Sequence, residues 1–183
     1  MKDSIQDVLS FWFEESSPSQ WFQVSDVYDA MIRDRFLGLY RMAVNGVCDG
    51  WGKDVDGCLA LVLLFDQFSR NMFRDRPEAF SSDDKARSVA RKAIDLGFDH
   101  LVSVSKRRFF YLPFEHSENL DDQKFSLTLF EKMREDEPLA YDYALRHFKI
   151  IERFARFPHR NVILGRESTP EELAFLEERG RGF

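Results

Sequence analysis

The sequence predicts an all-α fold of about seven to eight helices, and three observations predict it. Val, Ile and Thr total only 19 of 183 residues, too few for a large sheet. The aromatic share is 15%, with 19 Phe, which is ample material for a core. Apolar residues then recur at helical spacing between cap and stop signals along most of the chain. Short connections imply antiparallel neighbours, in a bundle or an array of helical hairpins. The length suits one domain over 1–183, with a tail at 179–183 expected to fray.

Each element follows from local chemistry. Ile5, Val8, Leu9 and Trp12 mark a helix over 4–14, capped by Asp3 or Ser4 and broken by Ser16, Ser17 and Pro18. Ser25 reads as the cap of a helix over 26–44 with Val27, Met31, Phe36, Tyr40 and Ala43 among its apolar positions. Asn45 to Gly57 carries four glycines and reads as a loop. A third helix is expected over 56–73. Ser81 or Ser82 caps a helix over 83–96 that stops at Gly97. Segment 103–112 is a shorter helix that Pro113 ends or kinks. Helices over 119–135 and 138–157 follow. The run Ser168-Thr169-Pro170-Glu171-Glu172 starts the last one: Thr169 caps, Pro170 takes the first position and Glu172 closes a capping box.

Charge and cysteine content exclude whole classes of function. The net charge of −6 disfavours a general nucleic-acid binder. The longest apolar run, Cys58 to Phe65, is too short to span a bilayer, so no membrane role is expected. Met1 to Glu15 lacks the pattern of a signal peptide. Cys48 and Cys58 form no staple pattern, which suggests a reducing, cytoplasmic setting.

Arg outnumbers Lys, 18 to 8, and Arg is the residue of fixed bidentate contacts. Three segments concentrate polar groups. The helix over 56–73 is apolar on every side at 58–65, then carries Asp66, Gln67, Arg70 and Asn71. Those four are either an internal network, with Asp66 and Arg70 paired at i,i+4, or one wall of a site. In Arg107–Glu118, the residues Glu115, His116 and Glu118 form the best acid–base constellation in the chain, against the plainer alternative of a locally satisfied histidine. On the helix over 138–157, His147 falls on the apolar stripe and reads as a satisfied core histidine. Arg146, Lys149, Arg153 and Arg156 fall opposite and read as a solvated face. Arg156, His159, Arg160 and Asn161, with Arg166 beyond, are either an anion site or a network anchoring the last helix. No metal is expected, since no HExxH is present, although His116, His147 and His159 could meet in three dimensions with Asp66 or Glu115. No phosphate loop or dinucleotide fingerprint occurs, and no cofactor is expected.

Four phrases in order carry a family resemblance: Val8-Leu9-Ser10-Phe11-Trp12-Phe13, Leu63 to Asn71, Phe110 to Glu118, and Arg156 to Asn161, with Leu164 to Thr169 closing. Over roughly 5–176 the chain resembles the bacterial family called domain of unknown function 924. The resemblance implies a tetratricopeptide-like array of helical hairpins and no established reaction. Two positions depart from the family's pattern: Ser69 stands where Pro is usual, and Ala155 where Gly is usual.

Together these readings lead to a protein that holds a small anionic ligand or a peptide terminus. The expected binding set is Asp66, Gln67, Arg70, Asn71, His116, Arg156, His159, Arg160 and Asn161. One alternative is a hydrolase with His116 or His159 as base, oriented by Glu115 or Asp66. Another is an interaction module using a helical groove.

Overall fold

A helix that is greasy all round must be surrounded, and Cys58 to Phe68 is buried without a break. Each fully buried Leu, Val or Phe there contributes roughly 1.5–3 kcal/mol. The computed structural model describes residues 2–179, with side chains from 4 to 178; the rest of the tail expectation lies outside the described residues. Among the described residues every regular element is helical and no strand occurs. The helices are α1 (Lys2–Ser10), α2 (Asp26–Val44), α3 (Val55–Val62), α4 (Ser69–Met72), α5 (Asp83–Asp95), α6 (Val104–Glu115), α7 (Leu120–Glu131), α8 (Pro138–Phe154) and α9 (Pro170–Arg179). The chain divides into two compact units: Met1–Arg74 with Glu78–Pro113, and Asp75–Pro77 with Phe114–Phe183.

In the first unit, α3 packs against α1 and α5, and α2 packs against α4. Two wide π-helical turns shape this unit. Phe11–Glu15 extends α1, and Leu63–Phe68 joins α3 to α4 as one continuous rod. The wider i→i+5 turn displaces carbonyls from the α-helical ladder, and they are met from elsewhere. Phe11 O accepts from Ser16 Oγ at 2.7 Å, and Trp12 O from Trp21 Nε1 at 2.7 Å. Phe65 O accepts from both Ser69 Oγ and Ser82 Oγ at 2.7 Å. Ser69, standing where the family pattern has Pro, thus uses its hydroxyl to close the turn.

In the second unit, α7 packs on α8, and α9 packs on the short 3₁₀ turn Pro158–Arg160. Ile150, Ile151 and Phe157 make its core, with Phe154 and Phe175 against them. The capping box of α9 forms as read from sequence. Thr169 Oγ1 accepts from Glu172 N at 3.2 Å, and Glu172 Oε2 accepts from Thr169 N at 2.8 Å.

Four local expectations are corrected. On α2 the buried stripe is Tyr28, Ile32, Phe36, Tyr40 and Ala43, while Val27 and Met31 are more than half exposed. Val27 and Met31 are apolar but fall beside that stripe, whereas Tyr28 and Ile32 align with Phe36 at i,i+4 spacing and take the core face. Within 45–57 the chain is more than a loop: a 3₁₀ turn at Asp49–Lys53 buries Trp51. The helix expected over 103–112 runs on as α6 to Glu115, so of the two readings of Pro113 the one that ends the helix fails. Helix α8 stops at Phe154 because Ala155 turns left-handed, at φ 58°. That conformation explains a glycine preference at this position, since an L residue there crowds its own Cβ.

Candidate functional site

The densest polar chemistry of the second unit gathers at the ends of three segments. Helix α6 delivers Glu115 in its last turn. The chain then bends through His116, Ser117 and Glu118 to the N-cap Asn119, whose side chain accepts from Asp121 N and Asp122 N. Buried Gln123 reaches back from α7 and donates to Glu115 O at 2.6 Å and Ser117 O at 2.7 Å, which fixes the bend. Helix α8 delivers His147 on its buried stripe. The left-handed Ala155 then swings Phe157 to Asn161 back toward the cluster.

His147 Nδ1 bonds to Tyr143 O at 2.9 Å, and Glu115 Oε1 lies 3.1 Å from the same nitrogen. A carbonyl can only accept, so the proton sits on Nδ1 and Nε2 is the basic nitrogen. Burial, then the charges of His116, Arg160 and His159, push the His147 pKa down to about 3, so the ring is neutral at pH 7. The Glu115 contact is therefore a carboxyl group set against a neutral ring, and not an ion pair.

Around this ring the aromatic groups close in. The His116 centroid lies 6.2 Å from that of His147. Phe157 meets His147 edge-on at 5.5 Å and His159 at 5.6 Å. Arg160, only 7% exposed, lays its guanidinium 4.4 Å over the Phe157 ring. Burial and the neighbouring Arg160 charge lower the His159 pKa to about 4. Three of the four histidines thus join one run of ring contacts that meets the Arg160 guanidinium at Phe157, and His147 and His159 are held neutral.

Carboxylates brace the rim. Glu118 accepts from both terminal nitrogens of Arg166, at 2.6 and 2.9 Å, and from Phe157 N at 2.8 Å. Burial opposes ionisation of Glu118, but these donors outweigh it and lower its pKa. Arg166 Nε donates to Asn161 Oδ1 at 2.9 Å, and Asn161 Nδ2 donates to Ser168 Oγ at 3.0 Å. Arg156 makes a bidentate pair with Glu172 at 2.7 and 2.8 Å and donates to Glu167 O. The Arg156 pair, opposed only by burial and aided by Thr169 N, holds Glu172 down to about 2.

The remaining candidates belong to the first unit. Asp66 and Gln67 sit in the π turn, side chain to side chain, with Gln67 Nε2 donating to Asp66 Oδ2 at 2.5 Å. Arg70 lies 3.0 Å from Asp66 Oδ1 and makes a bidentate pair with Asp83 at 2.9 and 3.1 Å. Burial pulls the Arg70 pKa down, yet the two carboxylates raise it, so the guanidinium stays charged. Asn71 Nδ2 donates to Asp29 Oδ1 at 2.7 Å, and Arg74 grips the same carboxylate at 2.5 and 3.0 Å. Among the described residues, no three His, Cys, Asp or Glu side chains are arranged to hold a metal ion.

Several partners escaped sequence reasoning. His147 is the buried, satisfied core histidine that its place on the apolar stripe predicts, but nothing local signals Glu115 against its ring from 32 positions away. Asp29 carried a signal: it falls on the buried stripe of α2, where a carboxylate demands partners. Asp83 carried none, since an acid in a first helical turn suits the helix dipole without further reason.

The family model described as a bacterial protein of unknown function (DUF924) matches residues 8–180. The chain belongs to this DUF924 family. Its fold is similar to the solved structure of a protein of unknown function from Agrobacterium tumefaciens, at 40% identity and a TM-score of 0.91, covering 97% of this chain and 98% of that one. No curated protein matches. The matched residues include the Phe110 to Glu118 and Arg156 to Asn161 phrases, which supply His116, His159 and Arg160. No helix among the described residues is long and apolar enough to cross a membrane.

Proposed function

We propose that this DUF924 protein binds a small anion, a carboxylate or a phosphate, at the His116–His159–Arg160 cluster. The observation that carries this reading is Arg160: a guanidinium stacked on Phe157 at 4.4 Å and nearly sealed from water, in a cluster where burial holds the His147 and His159 rings neutral. A neutral imidazole still donates one hydrogen bond and accepts another, so the cluster offers an anion directional donors around a fixed positive charge. In this reading Arg156 and Asn161 act through the loop, which they tie to α9. Asp66, Gln67, Arg70 and Asn71 form a second candidate group within the first unit, where carboxylates already engage Arg70 and Asn71. A reducing, cytoplasmic setting belongs to the same proposal, supported by the buried thiols of Cys48 and Cys58, whose pKa values burial raises.

The test is calorimetric titration with phosphate, acetate, citrate and a free peptide C-terminus. Arg160→Lys keeps the charge and loses the planar fork, and His159→Asn removes one imidazole. Binding by the parent that weakens about tenfold or more in either variant, with far-UV circular dichroism unchanged, supports the site.

A second reading is favoured by the Glu115–His147 contact. A carboxyl oxygen 3.1 Å from an imidazole nitrogen brings together the two group types that acid–base hydrolysis uses. Turnover of p-nitrophenyl esters or phosphates that His147→Asn abolishes would favour this reading over simple binding.

A further inference from the structure

Helix α8 carries a second feature on its outer face, away from its buried stripe. Arg146, Lys149 and Arg153 recur at i, i+3 and i+7, a ladder of cations roughly 10 Å long along one side of the helix. They rim a groove of about 730 Å³ whose floor includes Ile150, Phe154 and Phe175, the last supplied by α9. Ile150 is buried, and the Phe154 and Phe175 rings pair at 5.1 Å with faces still partly open. Arg146 and Lys149 form no ion pair with a described residue, although Arg146 lies over the Tyr143 ring at 5.2 Å. Arg153 has one carboxylate partner, Glu171, at 2.8 Å, and both are about half exposed. Asp142, at the far end, is the one acidic group on the lining.

A solvated face has no need of an apolar floor, and an apolar core edge has no need of unpaired cations on its rim. From the two together we infer that this groove docks an acidic amphipathic helix of a partner protein. The partner's apolar face would cover Ile150, Phe154 and Phe175, and its acidic flank would face Arg146 and Lys149. The sign of the charge selects the occupant. The chain is acidic overall, at −6, so a basic strip on it is a local reversal that steers an acidic partner. The spacing selects a helix: cations repeating at i, i+3 and i+7 match carboxylates repeating the same way on a facing helix, whereas a lone small anion is met by one cation. A second copy docked face to face by a two-fold axis would set Arg146 and Lys149 against themselves. An extended strand would find no open backbone, since α8 and α9 satisfy theirs internally.

The experiment uses the full chain and a fluorescent synthetic peptide of about 18 residues, with Leu at i, i+3 and i+7 and Glu flanking the Leu stripe. Fluorescence anisotropy reads its affinity for the parent, for the double variant Arg146→Glu/Lys149→Glu, and for Lys124→Glu as an exposed control on α7. Both altered side chains in the double variant are exposed, so the fold is retained. Saturable binding is expected, weakened about tenfold or more by the double variant and little by the control. Raising salt from about 50 mM to about 500 mM weakens it further. Equal affinity for parent and double variant overturns the inference, as does no saturable binding. Variant-dependent binding of laurate or of phosphatidylglycerol vesicles, with none of the peptide, overturns it in favour of a lipid-like anion. A concentration-dependent dimer that the double variant abolishes overturns it in favour of self-association.

Discussion

Glu115 Oε1 lies 3.1 Å from Nδ1 of His147, joining the last turn of α6 to the buried stripe of α8 inside the second unit. Because Tyr143 O takes the same N–H, the ring is fixed in one tautomer and one orientation. A buried imidazole held neutral makes stability depend on pH in a definite direction. The His147 pKa falls from 6.5 to about 3 on folding, so the unfolded chain binds the extra proton between those values. The stabilisation is complete above pH 6.5 and is lost progressively as pH falls toward 3. His159, lowered to about 4, acts the same way over a narrower window. Glu172, lowered to about 2, adds a contribution present above pH 4.5 and lost below it. Urea midpoints measured from pH 7.5 down to pH 4 should fall steadily, and His147→Asn should fall less over the upper part of that range.

Relief of the left-handed Ala155 should stabilise the protein. Its φ of 58° crowds the Cβ against the following carbonyl, a cost of about 1 kcal/mol. Ala155→Gly removes that Cβ, although glycine gives back part of the gain through a freer unfolded chain. A rise of a few tenths to about 1 kcal/mol in unfolding free energy is the expected outcome. A loss of stability would show that the turn after α8 is held by something other than backbone conformation.

The buried carboxylate of Asp29 should prove costly to remove. It is the shared acceptor of Asn71 and Arg74, and Asp29→Ala would take a buried acceptor from the Asn71 amide and a bidentate one from the half-buried Arg74 guanidinium. The expected loss is about 3 kcal/mol. Asp29→Asn, which keeps the shape and the Asn71 contact, should cost less. Chemical denaturation of the two variants ranks them, and equal losses would contradict the role of the charge.

All three tryptophans, Trp12, Trp21 and Trp51, lie in the first unit, whereas helices fill both. Tryptophan fluorescence therefore follows the first unit alone, and far-UV circular dichroism follows the whole chain. We propose that residues 1–183 unfold as one domain, in which case the two probes give coincident transitions. Separated midpoints would mean two domains.

Most of the helix inventory was legible because helix ends are local chemistry. Ser25, Gly97 and the Thr169-Pro170-Glu172 start each act through bonds spanning a few residues, so spacing reveals them. The π turn at Leu63–Phe68 was not legible. One of the two hydroxyls that meet its displaced Phe65 carbonyl comes from Ser82, 17 residues away, and no local pattern announces it. The histidine cluster was half legible. The phrases around His116 and His159 stood out by density, yet His147 is hidden among apolar neighbours at i,i+4 spacing, where a core histidine and a site histidine look alike. Arg156 and Arg160, four apart in sequence, show the same limit. One pairs with Glu172 on α9 and the other stacks on Phe157, and composition cannot separate those fates.

The most direct test of the central claim is a calorimetric titration of phosphate, acetate and citrate into the parent protein and Arg160→Lys at pH 7. The account predicts saturable binding of at least one of these anions to the parent, weakened about tenfold or more in Arg160→Lys, whose helix content is unchanged. Absence of binding by all of them, or equal binding by parent and variant, would contradict it.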